Sequence, residues 1–120
     1  MTTDEIKNYL EYALALEKKK LRIYWAYLDV QLRIKRSNGK SNVLLRKKIQ
    51  LKYRYEHVRF RLCCLYQEGI VPWEYCSILP ILNLLHYFEL GECHTMEEAL
   101  EHFRSQTSSP SLQQPNGALN

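Results

Sequence analysis

Apolar residues recur every three or four positions from the start of the chain. Ile6, Tyr9, Ala13, Leu16, Ile23, Tyr27, Val30 and Ile34 form one heptad seam with a single polar member, Lys20. That spacing keeps one face of an α-helix apolar and predicts a coiled-coil-like helix over about 4–36. Thr2 and Glu5 have capping-box spacing, and Asp4 and Glu5 suit the positive end of the helix dipole. A second seam, Leu44, Lys48, Leu51, Tyr55, Val58, Leu62 and Leu65, predicts a helix over about 43–68 that stops at Gly69. Between them SNGKSN (37–42) is a turn. Asn38-Gly39 tolerates positive φ, and Ser41 or Asn42 can cap the helix that follows.

The two seams fit each other as an antiparallel pair. Partners across an antiparallel hairpin share a constant sum of residue numbers. Ile34–Leu44, Tyr27–Leu51, Ile23–Tyr55, Leu16–Leu62 and Ala13–Leu65 all sum to 78, and half of 78 is Gly39, in the turn. Lys20 and Lys48 then meet apolar residues (Val58 and Val30), along which each can lay its stem while its ammonium reaches water.

Past Gly69 the pattern predicts two shorter helices. Val71-Pro72-Trp73 opens a helical region over about 72–90, which Pro80 either kinks or divides, the second part then being capped by Ser77. ILNLLHYFEL (81–90) is apolar on most sides and is expected to be the most buried segment. Thr95 with Glu98 is a second capping box and opens a helix over about 96–104. From Ser105 the composition turns to Ser, Gln, Pro and Asn, which predicts a disordered tail, 105–120. The expected fold is therefore all-α. A single domain, 1–104, holds a long helical hairpin with two short helices packed on its base and its tip projecting.

Charge adds the strongest asymmetry. Residues 1–61 hold sixteen of the seventeen Lys and Arg against six Asp and Glu, a balance of +10. Residues 62–120 hold Arg104 and seven Glu, a balance of −6. The tip concentrates the cations: Arg33, Lys35, Arg36, Lys40, Arg46, Lys47, Lys48, Lys52 and Arg54 lie between Val30 and Tyr55, with no acid among them. A phosphate backbone is attracted to such a surface because each neutralised phosphate releases counterions. Tyr53 and Tyr55 beside them are candidates for stacking on bases. A solvated helical face has the same composition, so the tip is a candidate nucleic-acid interface rather than a motif. Leu28–Ile49 and Leu32–Leu45 pair with sum 77 beside the main seam. They form either an exposed interface for a second copy or an acidic protein partner, or the edge of a wider core.

Other chemistries find little footing. Cys63, Cys64, Cys76 and Cys93 include no Cys-x2-Cys pair, and Cys93-His94 are adjacent, an awkward arrangement for one metal. The expectation is free thiols of a cytoplasmic protein, a His86 in or beside the core, and exposed His94 and His102. Glu97, Glu98 and Glu101 fall in the first turns of the last helix, where the dipole and solvent account for them. No nucleophile elbow, phosphate-binding loop or paired catalytic carboxylates are present, so neither an enzyme nor a cofactor is expected. No apolar run approaches the roughly 18 residues of a membrane span. The acidic, Tyr-containing start, MTTDEIKNYLEY, is unlike a secretory signal.

The segment YFELGECHTMEEALEHF (87–103) resembles a C-terminal motif of small helical accessory proteins of gut-type Gram-positive bacteria, often carried on mobile elements. In these an aromatic helix ends at Gly, and a Thr-capped helix with Glu-Ala-Leu follows. The motif often has Arg after the Gly, where this chain has Glu92. The resemblance implies a bacterial or phage accessory role and no mechanism. The sequence reading is thus a non-enzymatic protein that contacts nucleic acid or a nucleoprotein through its basic tip. The alternative is a protein-interaction module.

Overall fold

The computed structural model describes residues 1–107. In chain order these form α1 (Thr3–Arg36), α2 (Asn42–Tyr66), a 3-10 turn (Trp73–Tyr75), α3 (Ile78–Glu89) and α4 (Met96–Thr107). α1 opens on the expected capping box. The Glu5 amide donates to the Thr2 hydroxyl at 3.1 Å, and the Thr2 amide donates to the Glu5 carboxylate at 2.8 Å. These bonds hold the Glu5 carboxyl below its usual 4.5. The hairpin turn needs left-handed backbone at Asn38 (φ 55°) and Gly39 (φ 73°), which lets the Gly39 amide close onto the Ile34 carbonyl at 2.9 Å. The Ser41 hydroxyl then accepts from the Leu44 amide and starts α2.

α1 and α2 pack antiparallel with the seam residues between them. Leu16, Ile23 and Val30 are buried on one side of the seam, and Leu51, Val58 and Leu62 on the other. The Tyr24 and Tyr55 rings meet at 6.1 Å, and the Lys48 ammonium lies 5.9 Å from the centre of the Tyr27 ring. Lys48 thus stacks on an aromatic face across the seam.

The region expected as a helix over 72–90 is divided. Pro80 lies in the first turn of α3, where its missing N–H costs no hydrogen bond, and a separate 3-10 turn precedes it. Ser77 holds the cap position without a side-chain hydrogen bond. α3 is also less enclosed than its composition suggests. Ile81, Leu84, Leu85 and Phe88 are buried, whereas Leu79, Leu82, His86 and Leu90 are exposed. The reason is geometric: α3 has the hairpin and α4 against its covered side and solvent against the other. His86 falls on the solvent face, so it belongs to neither the core nor its boundary.

α3 runs antiparallel to α1. Ile78 and Leu79 share a concavity with Leu21 and Tyr24, Leu85 shares one with Leu14 and Lys18, and the Thr3 hydroxyl donates to the His94 carbonyl. Beyond Tyr24 the concavities along the hairpin are lined by α1 and α2 alone. The distal hairpin therefore projects past its cover.

α4 opens on the second capping box: the Glu98 amide donates to Thr95 Oγ1, and the Glu98 carboxylate accepts from the His94 and Thr95 amides. It continues to Thr107, three residues past the expected end at 104, and the Tyr87 hydroxyl donates to Gln106 Oε1 at 2.6 Å. The expected tail thus begins as helix, and the rest of it, 108–120, lies outside the described residues. His102 is half-buried rather than exposed, edge-on to Tyr87 at 4.5 Å and 3.2 Å from Glu92.

Candidate nucleic-acid interface

All the tip cations are exposed except Lys48, which is half-buried. Arg33 pairs with Asp29 at 3.0 Å, both solvent-exposed, so the pair adds little stability and leaves the guanidinium accessible. The helical period divides the set. Residues two apart on a helix point about 200° from each other. Lys35 and Lys48 line a concavity of about 510 Å³ with Leu28, Leu32 and Ile34, and Lys52 lines one of about 200 Å³ with Tyr24, Tyr27 and Tyr55. These three lysines rim the groove between α1 and α2 on the side that α3 occupies lower down.

Arg33, Lys47 and Arg54 fall on the opposite flank. Lys47 and Arg54 are seven residues apart, and seven more reach Arg61, so the three share one face of α2. The Arg61 guanidinium donates to the Tyr12 hydroxyl and lies 5.6 Å from the centre of the Tyr12 ring, which fixes that face beside α1. On α1 the same spacing runs Tyr12, Lys19, Ala26, Arg33. The result is one basic flank of Lys19, Arg33, Lys47, Arg54 and Arg61. No acid shares these heptad positions between Lys19 and Arg61. Lys19 and Arg61 were missed because they precede and follow the dense run of cations. Their signal was the heptad spacing itself. Arg36 and Arg46 lie on the outer faces of their helices, and Lys40 sits in the turn.

The two candidate stacking residues have different fates. Tyr53 is 76% exposed and shares the outer face of α2 with Arg46 and Phe60, seven residues to either side. Tyr55 is half-buried, tilted against Tyr24, and lines the groove rather than the outer surface. Trp25, 61% exposed, is a further large aromatic on the outer side of α1.

The four apolar residues beside the seam do not enlarge the core. Leu32 and Ile49 are 53% and 58% exposed, Leu45 is exposed and Leu28 is half-buried. Leu28 and Leu32 floor the same concavity, while Leu45 and Ile49 form one edge of α2.

One polar cluster had no forecast. Glu17 is 5% exposed, accepts a hydrogen bond from the Tyr66 hydroxyl at 2.6 Å and pairs with Lys20 at 3.2 Å. Burial, then the bond to Glu17, push the Tyr66 hydroxyl far above its usual range. The Cys76 thiol nearby is raised to about 11 by burial and by the charge of Glu17. Every polar atom in this cluster has a partner, which marks it as structural. Cys93 is buried as a small hydrophobe, whereas Cys64 is exposed. Among the described residues no group of three or more His, Cys, Asp or Glu is placed to hold a metal ion. No helix among them is long and apolar enough to cross a membrane. No family model, curated protein or solved structure matches the chain.

Proposed function

We propose that this chain is a non-enzymatic accessory protein, of the kind carried by bacterial mobile elements, that grips a nucleic-acid backbone in the cytoplasm through the basic flank of its hairpin. The observation that carries the reading is the alignment of Lys19, Arg33, Lys47, Arg54 and Arg61 on one flank, where Asp29 is paired with Arg33. Lys47 to Arg61 span fourteen residues, about 21 Å of helix. Duplex DNA presents one charge per ~1.7 Å of axis, so a stretch of that length offers more phosphates than the flank has cations. Such contacts position a protein on a duplex without reading its sequence. The fit is to a backbone rather than to base edges, and binding is expected to be indifferent to sequence. Fluorescence anisotropy of labelled duplexes of unrelated sequence tests this. Similar affinities that fall steeply with salt support it, and absence of binding at low salt defeats it.

A second reading has its own observation. The exposed Leu32, Leu45 and Ile49 are costly on a solvated surface and suit a protein-interaction module that self-associates or takes an acidic partner. In that case the distal hairpin binds protein at low salt and ignores nucleic acid.

A further inference from the structure

The groove between α1 and α2 is made to take a helix, and the described chain fills only part of it. α3 has twelve residues, about 18 Å, against about 51 Å for the thirty-four residues of α1. A concavity of about 410 Å³ continues the groove past the start of α3, between Leu21, Tyr24 and Tyr55 of the hairpin and Leu79 of α3. Beyond it lies the 510 Å³ concavity floored by Leu28 and Leu32 and rimmed by Lys35 and Lys48. α3 itself carries an unused apolar face. Leu79, Leu82 and Leu90 are 70%, 42% and 57% exposed, at helical spacing, and Glu89 stands beside them.

We propose that two copies of this chain pair antiparallel about a twofold axis near Leu21 and Leu79, the outer face of each α3 filling the distal groove of the other copy. The register follows from the packing within one chain. Ile78 is level with Leu21 and Leu85 with Leu14, so the two numbers sum to about 99. A twofold at the level of Leu21 then brings Leu82 of the other copy beside Tyr24 and Leu28. It brings Glu89 beside Leu32, between Lys35 and Lys48.

Charge selects a second copy as the occupant. The hairpin-bearing half has a balance of +10 and the half that carries α3 and α4 has −6. Antiparallel pairing sets each basic rim against an acidic base, whereas tip-to-tip pairing opposes like charges. A twofold axis makes each contact twice and closes the assembly at two copies. The paired face is the groove side, so the basic flank stays open and the proposal stands or falls independently of nucleic-acid binding.

Sedimentation equilibrium over a wide concentration range tests it. The expected mass is twice the 14.4 kDa of the chain. Leu82→Glu and Leu32→Glu change exposed residues, so each is expected to keep its helical circular dichroism and sediment as a monomer. Glu89→Lys is expected to weaken the dimer roughly tenfold by setting like charges together at two symmetric places. Adding Lys35→Glu and Lys48→Glu to Glu89→Lys is expected to restore it. A monomer at every concentration overturns the proposal. So does a dimer indifferent to Leu82→Glu, or a charge swap that restores nothing.

Discussion

Tyr66→Phe isolates the one buried polar cluster of the hairpin. The Tyr66 hydroxyl donates to Glu17 at 2.6 Å, and its ring packs edge-on against Trp73 at 5.5 Å. The substitution removes one oxygen and keeps the ring, so no large cavity forms. It strips a hydrogen bond from a carboxylate that is 5% exposed. Hydrogen bonds to charged groups contribute about 1.5–3 kcal/mol, and the buried acceptor left behind adds a desolvation penalty. Lys20 remains at 3.2 Å and is partly exposed, which offsets some of the loss. A fall of about 2 kcal/mol is expected, or roughly 8–16 °C in Tm for a domain of about 100 residues. Urea unfolding followed by circular dichroism measures it. Glu17→Leu combined with Tyr66→Phe is expected to recover much of the loss, because replacing both partners by apolar groups leaves no buried unpaired acceptor and the partly exposed Lys20 ammonium reaches water. An unchanged midpoint in Tyr66→Phe, or a double variant whose cost equals the sum of the single ones, refutes the reasoning.

Three further outcomes follow from the fold. Gly39→Val is expected to cost about 1–2 kcal/mol. Its φ of 73° is left-handed and nothing lies within 4 Å of an added Cβ, so strain alone acts, and an unshifted denaturation midpoint contradicts it. Glu5 and Glu98 have carboxyls lowered from 4.5 by hydrogen bonds at their helix starts. A depressed folded pKa gives stability that is present above the unfolded value and lost as pH falls through the folded one. Tm should therefore drop below about pH 4.5, and less steeply in Glu98→Gln; parallel curves for the two proteins count against the second cap. Thiol labelling of the folded protein is expected to reach exposed Cys64 first, with Cys76, raised to about 11, and buried Cys93 slow. Equal labelling of all four by mass spectrometry contradicts the burial pattern.

The hairpin was legible because it rests on repetition and local chemistry. Two heptad seams, one sum of residue numbers and a glycine at the apex point to one register, and Leu16, Ile23, Val58 and Leu62 are buried accordingly. Thr2, Ser41 and Thr95 cap their helices through residues three positions away, which sequence displays directly. What escaped depends on distant partners. Glu17 is buried only because Tyr66, forty-nine residues on, arrives with a hydroxyl. The two-sidedness of α3 depends on how much of it finds the hairpin, which its apolar composition conceals. The candidate site was half legible: the cations were evident, but their division between groove and flank needs the orientation of α1 against α2. That orientation is fixed by contacts such as Arg61 with Tyr12 and Lys48 with Tyr27.

The salt dependence of duplex DNA binding, measured by anisotropy on the wild type, Arg54→Glu, Lys52→Glu and the Lys47→Glu/Arg54→Glu double variant, tests the basic flank most directly. Arg54 and Lys52 are close in sequence but lie on opposite sides of α2, so general charge loss affects them alike and a specific flank does not. Contact with four or five phosphates predicts a log–log slope of roughly −3.5 to −4.5 for the wild type. The double variant is expected to bind every sequence more weakly with a slope flatter by about 2, and Lys52→Glu to stay near wild type. Equal losses in Arg54→Glu and Lys52→Glu contradict the flank. No binding at low salt to duplex DNA, single-stranded DNA or structured RNA contradicts nucleic-acid contact altogether and leaves the distal hairpin to a protein partner.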